Sequence, residues 1–263
     1  MKEPVLFKDS SHLEASPEAA VRATAGQKKF HFEEMAPGSR VSKYSLHADE
    51  GSLLEVVFFQ NGRLEDECLT KIKITVAQNA QVKFTFIQEG CARSEVEIDS
   101  ECLGKGAEIE LRGLQNAKGK QKQAIRVNAI HGVPHTKSDL KVWCVARDES
   151  HSIFNGLVTI KEGAHHTEAY QKNKNLLLSE RAVIDSFPKL FIYNDDVKCA
   201  HGSSTSTLDD DQFYYLQTRG INPSEAEQMM VRGFLKQALD WISDESTRTK
   251  LENSLHIREE DFS

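Results

Sequence analysis

The chain has 263 residues, 39% of them hydrophobic and 28% charged, the profile of a globular protein with room for a sizeable core. Its formal charge of −7 argues against nucleic-acid binding, and no window approaches the roughly 18 apolar residues a membrane helix needs. Five widely spaced cysteines (Cys68, Cys91, Cys102, Cys144 and Cys199) without a C-x-x-C pair argue against a disulfide framework or structural zinc. They favour a reducing compartment, the cytoplasm or an equivalent organelle stroma.

Residues 1–50 lack the apolar run of a secretory signal and read as a short N-terminal region, with one helix expected through 18–25. From Gly51 onward, turn residues recur ahead of strand-like runs. Gly51 precedes 53–59, Asn79-Ala80 precedes 82–87, and Gly106-Ala107 precedes 108–111. Pro134 then precedes 140–145, and Gly163-Ala164 precedes 165–170, so the intervals are 28, 27, 28 and 29 residues. Each interval holds a second β-rich run, at 71–76, 94–99, 124–130 and 152–160. Strands this short cannot bury a face alone, but coils stacked on one another share a continuous core. The expected fold is mainly β, a β-helix with a repeat of about 28 residues over 51–205. An antiparallel sandwich is the alternative, and the regular intervals disfavour it.

Residues 206–263 read as a C-terminal α-helical subdomain, with 12 acidic against 6 basic side chains. Thr207 is placed to cap a helix whose first turn holds Asp209, Asp210 and Asp211, and Gly220 supplies its stop. Asn222-Pro223-Ser224-Glu225 has the form of a capping box opening a second helix. Ala226, Met230, Phe234, Ala238, Trp241 and Ile242 fall on one face of it. Part of that stripe is expected to pack on the β-domain and part to remain for a partner.

No G-x-S-x-G elbow, P-loop or G-x-G-x-x-G is present, so no catalytic activity is expected. A β-helical lyase would need acids and bases clustered along one groove, and an acyltransferase a hexapeptide pattern; neither is visible. A plain β-helical interaction module is the other alternative. The densest cluster of soft and titratable residues is Asp195–Gly202. On a strand Cys199 and His201 project from one face, a thiolate and an imidazole suited to iron, zinc or an iron–sulfur intermediate. Lys198 is placed to favour the thiolate. Two ligands do not complete a metal site, so the rest would come from another coil or chain; otherwise the pair is a buried cysteine beside a surface histidine. His131 and His135 are expected to diverge, and His165 and His166 to point to opposite faces of a strand.

From about Val142 to Phe234 the sequence resembles the SufB/SufD family of SUF-system scaffold proteins. The resemblance rests on Ser152–Gly156, Gly163-Ala164 with Thr167 and Gln171, Asn175–Ser179, Asp195–Gly202 and Gln212–Ile221. It implies a right-handed parallel β-helix flanked by helices, with the Lys198-Cys199-Ala200-His201-Gly202 run matching the SufD form. It also implies a SufB–SufD heterodimer whose β-helix ends meet. Because late coils expose strand edges, the face around 165–201 is expected to pair with a SufB-like chain or with another copy as a homodimer. The ATPase SufC would bind the C-terminal helices, around Met230, Phe234 and Arg219. No stably bound cofactor is implied; a transient iron–sulfur cluster would form at the subunit interface near Cys199 and His201. The family's N-terminal helical region reads as shortened here, and Ala200 stands where serine is common.

Overall fold

A computed structural model describes residues 6–7 and 10–255. Fifteen strands come first. They are β1 (Glu14–Ala15), β2 (Ala19–Ala23), β3 (Lys28–Met35), β4 (Arg40–Ala48), β5 (Leu53–Asn61), β6 (Glu67–Val76), β7 (Gln81–Glu89) and β8 (Arg93–Cys102). There follow β9 (Glu108–Ala117), β10 (Lys122–His131), β11 (Lys137–Ala146), β12 (His151–Ile160), β13 (Thr167–Leu177), β14 (Val183–Ile192) and β15 (Val197–Ser206). Three helices follow among the described residues: α1 (Asp210–Thr218), α2 (Pro223–Leu239) and α3 (Glu245–Ser254).

From β3 onward, successive strands alternate between two sheets, and every pairing is parallel. One sheet runs β1-β4-β6-β8-β10-β12-β14 with β2 also on β4; the other runs β15-β13-β11-β9-β7-β5-β3. This is a two-sheeted parallel β-solenoid of about seven turns with a repeat of about 29 residues. The repeat read from turn residues therefore corresponds to one coil. The corners explain the turn signals: Gly51, Asn79, Gly106, His135 and His166 all hold positive φ, between 52° and 74°. Glycine and asparagine tolerate that conformation; the two histidines are held in it by the ladder between coils. Successive corners bond to one another, as His135 N–H does to His165 O at 2.8 Å.

Two expectations for the first 50 residues do not hold. The stretch expected to be helical through 18–25 contains β2, because pairing along β4 buries Val21 and Ala23 and outweighs the helical propensity of its alanines. The solenoid also begins before Gly51, since β3 and β4 pair fully with β5 and β6. Leu6 and Phe7 cross the outer face of the first sheet, where buried Glu95 accepts their backbone N–H groups at 3.0 and 3.1 Å.

Inward-facing residues of both sheets form one core, including Leu46, Ile74, Phe58, Phe84, Leu111, Val142 and Phe154. Phe58 and Phe84 meet edge to face at 5.5 Å. A polar seam runs beside this apolar interior. Ser94 Oγ donates to Gln60 (3.0 Å), Gln115 to Gln88 (2.9 Å), and the Cys144 thiol to Gln115 (3.0 Å). Each link joins neighbouring coils, so a slipped coil would strand buried amides, which opposes misregister.

The outer face of the second sheet is also apolar. Val57, Phe59, Ile87, Leu114, Trp143 and Val145 pack against Val231, Leu235, Ala238, Leu239 and Ile242. Helices α2 and α3 therefore lie along the solenoid's flank. Ser243 bonds Glu55 through N–H and Oγ (2.8 and 2.5 Å), and Lys250 reaches Glu34 (2.7 Å). Asp209, not Thr207, caps α1, its carboxylate accepting Gln212 N–H at 2.8 Å. Asn222 caps α2 with Pro223 in its first turn and Glu225 returning to the Asn222 amide at 3.1 Å.

His131 is fully buried, its ring nitrogens 2.8 Å from Thr136 Oγ1 and 2.9 Å from Ser138 Oγ. Burial pushes its pKa down to about 4. Unfolding releases an imidazole that titrates near 6.5. The unfolded chain thus binds the extra proton between these values, and stability falls as pH drops from about 7 towards 4. The expected loss is on the order of 2–3 kcal/mol by pH 4.5. Urea midpoints at pH 7.5 and 4.5 should differ less in His131→Gln than in the parent; equal differences would refute this.

Candidate functional site

The site expected around Cys199 and His201 lies on β15, the last strand of its sheet, which pairs on one side only with β13. In β13, buried Thr167, Ala169, Gln171, Asn173 and Asn175 alternate with outward Glu168, Tyr170 and Lys172. The register sets Cys199 against Ala169 and His201 against Gln171. Parallel partners share a face, so Val197, Cys199, His201, Ser203 and Thr205 lie on the inward side. Val197 and Cys199 pack partly on the core, whereas His201 is exposed at the open end.

Lys198 behaves otherwise than the sequence suggested. It sits on the outer side of β15, and its Nζ pairs with Glu168 at 3.1 Å. Nothing couples its charge to the sulfur; burial instead pushes the Cys199 thiol above its ordinary value. Cys199 therefore carries the features of a protonated, packed thiol, and His201 is the more available of the two donors.

The interior turns polar towards this end. Leu140, Val142 and Cys144 of β11 are followed in register by Gln171, Asn173 and Asn175 of β13, then by His201, Ser203 and Thr205. Gln171 reaches across the solenoid to β12, where Gly156 makes room for it: a Cβ there would fall 2.6 Å from the Gln171 amide. Gln171 Oε1, Asn175 Oδ1 and Ser186 Oγ are buried without a hydrogen-bond partner among the described residues. These orphaned groups cluster in the last coils, beneath and opposite His201.

The terminal coil is also the least covered part of the solenoid. Strands β14 and β15 end their sheets together, each ten residues long with a free edge. Val183, Phe191, Ile192 and Tyr193 are 43–61% exposed beside them. The run Phe191-Ile192-Tyr193 was the sequence signal for this patch and went unread, as did the opposition of Gly156 and Gln171.

The remaining histidines do not join the site. His131 is committed to Thr136 and Ser138. His165 and His166 precede β13 in a turn instead of alternating along a strand, because the loop before Thr167 is longer than the sequence reading assumed. His166 stacks on His135 at 4.8 Å and pairs with Asp196 at 3.1 Å. Among the described residues no group of three histidine, cysteine or acidic side chains is placed to hold a metal.

Of the residues expected on the helices, Met230 and Phe234 are half-buried and line a groove of about 470 Å³ with Leu176, Leu208, Leu216 and Met229. Of the expected stripe, Ala226, Ala238 and Ile242 are buried, and Val231, Leu235 and Leu239 join them because they meet the apolar sheet. Helix α1 buries no residue; Tyr214 and Tyr215 are exposed, and the Arg219 guanidinium lies 5.1 Å from the Tyr215 ring. Among the described residues no helix is long and apolar enough to cross a membrane.

Comparison with known proteins identifies the family. Residues 9–234 match the family model described as SUF system FeS cluster assembly, SufBD core domain. Over 107 residues the chain is 36% identical to the iron–sulfur cluster assembly protein SufD of Escherichia coli K12, covering 41% of this chain and 25% of that protein. It is 32% identical over 148 residues to SufD of Bacillus subtilis 168, covering 56% and 34%. It is 32% identical over 234 residues to an iron–sulfur cluster assembly SufBD family protein of Mycobacterium bovis, covering 84% and 59%. The chain thus spans between a quarter and about three-fifths of the length of these relatives. On the match across residues 9–234, the chain belongs to the SufBD core family of SUF-system iron–sulfur cluster assembly proteins.

Proposed function

We propose that this chain is a SufD-like scaffold without turnover of its own, whose terminal coil pairs with a second solenoid and helps assemble an iron–sulfur cluster at the junction. One observation carries the reading: both sheets end together in free ten-residue edges, with an inner face that has turned polar and is open at His201. An unpaired strand edge is a template for another chain, and here two edges and the exposed Phe191–Tyr193 patch are offered at once. The partner is a SufB-like chain, or another copy of this one. The cluster is cargo. Cys199 and His201 supply at most two of its ligands, so the other donors come from the partner.

Within that junction, His201 acts as a nitrogen ligand or proton carrier, roles open to an exposed imidazole. Cys199, packed and protonated, contributes less. Helices α1 and α2 offer the groove around Met230 and Phe234 to a SufC-like ATPase, and Arg219, stacked on exposed Tyr215, adds a cation on α1's side.

The test is reconstitution with a SufB-like and a SufC-like protein. His201→Ala should leave folding and complex formation intact and lower iron and sulfide per complex severalfold; Cys199→Ser should give a milder loss. Wild-type cluster content in both variants would assign the site to the partner alone. Sedimentation of the chain with and without the SufB-like protein tests pairing, and a monomer in both cases would refute it.

A further inference from the structure

A second sulfur site lies far from the terminal coil. Cys68, near the start of β6, and Cys91, in the turn between β7 and β8, bring their Sγ atoms to 3.3 Å in a thiol–thiol hydrogen bond. Both are buried, Cys68 with 7% exposure and Cys91 with none. The surrounding structure holds them there. Cys91 sits at φ 56°, and the Gln60 amide donates to its sulfur at 3.0 Å. Gly62 packs against the same sulfur so closely that a Cβ would lie 2.1 Å from it. Gly90, also at positive φ, fits because a Cβ there would lie 1.9 Å from Gly62 O.

Among the described residues no third histidine, cysteine or acidic side chain is grouped with them to hold a metal. Asp66, the nearby carboxylate, accepts the backbone N–H groups of Gly38 and Arg63, both at 2.8 Å. With only two sulfurs free to react, the available chemistry is that of a dithiol. The pair is also uneven: the contact with Cys68, with donation from the Gln60 amide, holds the Cys91 thiol below its ordinary value, and Cys68 keeps its proton. Cys102 and Cys144 differ, with burial pushing each up to about 12.

We propose that Cys68 and Cys91 are a modification site, a dithiol that closes reversibly to a disulfide between adjacent coils when a hydroperoxide reaches it. The Cys91 thiolate attacks one peroxide oxygen; the O–O bond breaks, a sulfenic acid forms and hydroxide (or alkoxide) leaves with the electron pair. The Cys68 sulfur then attacks the sulfenyl sulfur, its proton passes to the departing hydroxyl, and water leaves. Two electrons pass from the two sulfurs to the peroxide. An external dithiol reverses the change by thiol–disulfide exchange. The bond ties coils already in register, so closure should raise the melting midpoint by a few degrees.

The experiment uses the full chain and hydrogen peroxide, followed by alkylation in denaturant and peptide mapping. The expected product is a peptide pair linked through Cys68 and Cys91, two hydrogens lighter than the reduced pair and restored by dithiothreitol. Cys102 and Cys144 should remain alkylatable. Cys199, half-exposed, reports that the oxidant was active. Cys68→Ser and Cys91→Ser should each abolish the link, and Gly62→Ala, which displaces the Cys91 sulfur, should slow its formation. Oxidation of Cys199 without any linked peptide, or sulfinic acid on Cys91 in place of the link, would overturn the proposal. Neither result bears on the terminal-coil reading.

Discussion

Replacing Arg112 with alanine is expected to lower folding stability by about 3 kcal/mol, a large effect for a residue with no part in the proposed chemistry. Arg112 lies on the outer face of β9 with its side chain 2% exposed. Its guanidinium donates to Asp139 Oδ2 at 2.7 Å and to the carbonyls of Leu111 and Asp139 at 2.9 and 2.8 Å. Its carbon lies 4.2 Å from the centre of the Trp241 ring, just beyond α2. The residue thus joins two strands to the end of a helix. Its loss leaves a mostly buried carboxylate beside Lys141 at 2.9 Å, and removes one of the two cations, with Lys83, that lie over the indole. Urea titration measures the loss directly. Arg112→Met with Asp139→Leu should cost less than Arg112→Ala, because no buried charge is then left alone. A loss below about 1 kcal/mol for Arg112→Ala would show the cluster to be solvated instead.

Met230→Glu is expected to weaken binding of a SufC-like ATPase at least tenfold while leaving the melting midpoint nearly unchanged. Met230 is half-buried in the groove between α1 and α2, and it stands outside the cluster that joins α2 to the sheet. A carboxylate there would meet the partner's apolar surface and lose its water on binding. Leu235→Glu, five residues on and so on another face of α2, should act differently. Leu235 is 1% exposed against the sheet, so that change should cost about 3 kcal/mol or more and detach the helices. Removing residues 206–263 altogether would uncover Val57, Phe59, Ile87, Leu114, Trp143 and Val145 in one band and promote aggregation, so point variants are the cleaner probe. Unchanged affinity for the ATPase in Met230→Glu would place its site elsewhere on the chain.

Much of the architecture was legible before any coordinates. Alternation of period two, as in Lys71-Ile72-Lys73-Ile74, and the turn residues at Gly51, Asn79 and Gly106 are local signals, and they were enough for strands, corners and repeat. The cap at Asn222 and the stop at Gly220 were readable for the same reason, since a helix end is decided within a few residues of itself. Cys199 and His201 were placed on one face by spacing alone. Residues 18–25 misled because their propensity is weak, and a long-range pairing with β4 decided their conformation.

Tertiary structure alone decided the rest. Which face α2 buries depends on the apolar band of a sheet more than 80 residues earlier in the chain, and Ser243 finds Glu55 across a separation of 188 residues. Lys198 seemed a neighbour of Cys199 in sequence, yet strand alternation sends it to the opposite side, to Glu168. Gly156 and Gln171 were visible as separate motifs; only the closing of two sheets made one the space for the other. The Cys68–Cys91 pair carries no sequence signature, because its 3.3 Å contact arises from stacking one coil on the next. Local chemistry determined which residues become strands and turns. The stacking of coils determined which side chains meet, and hence which of them can react.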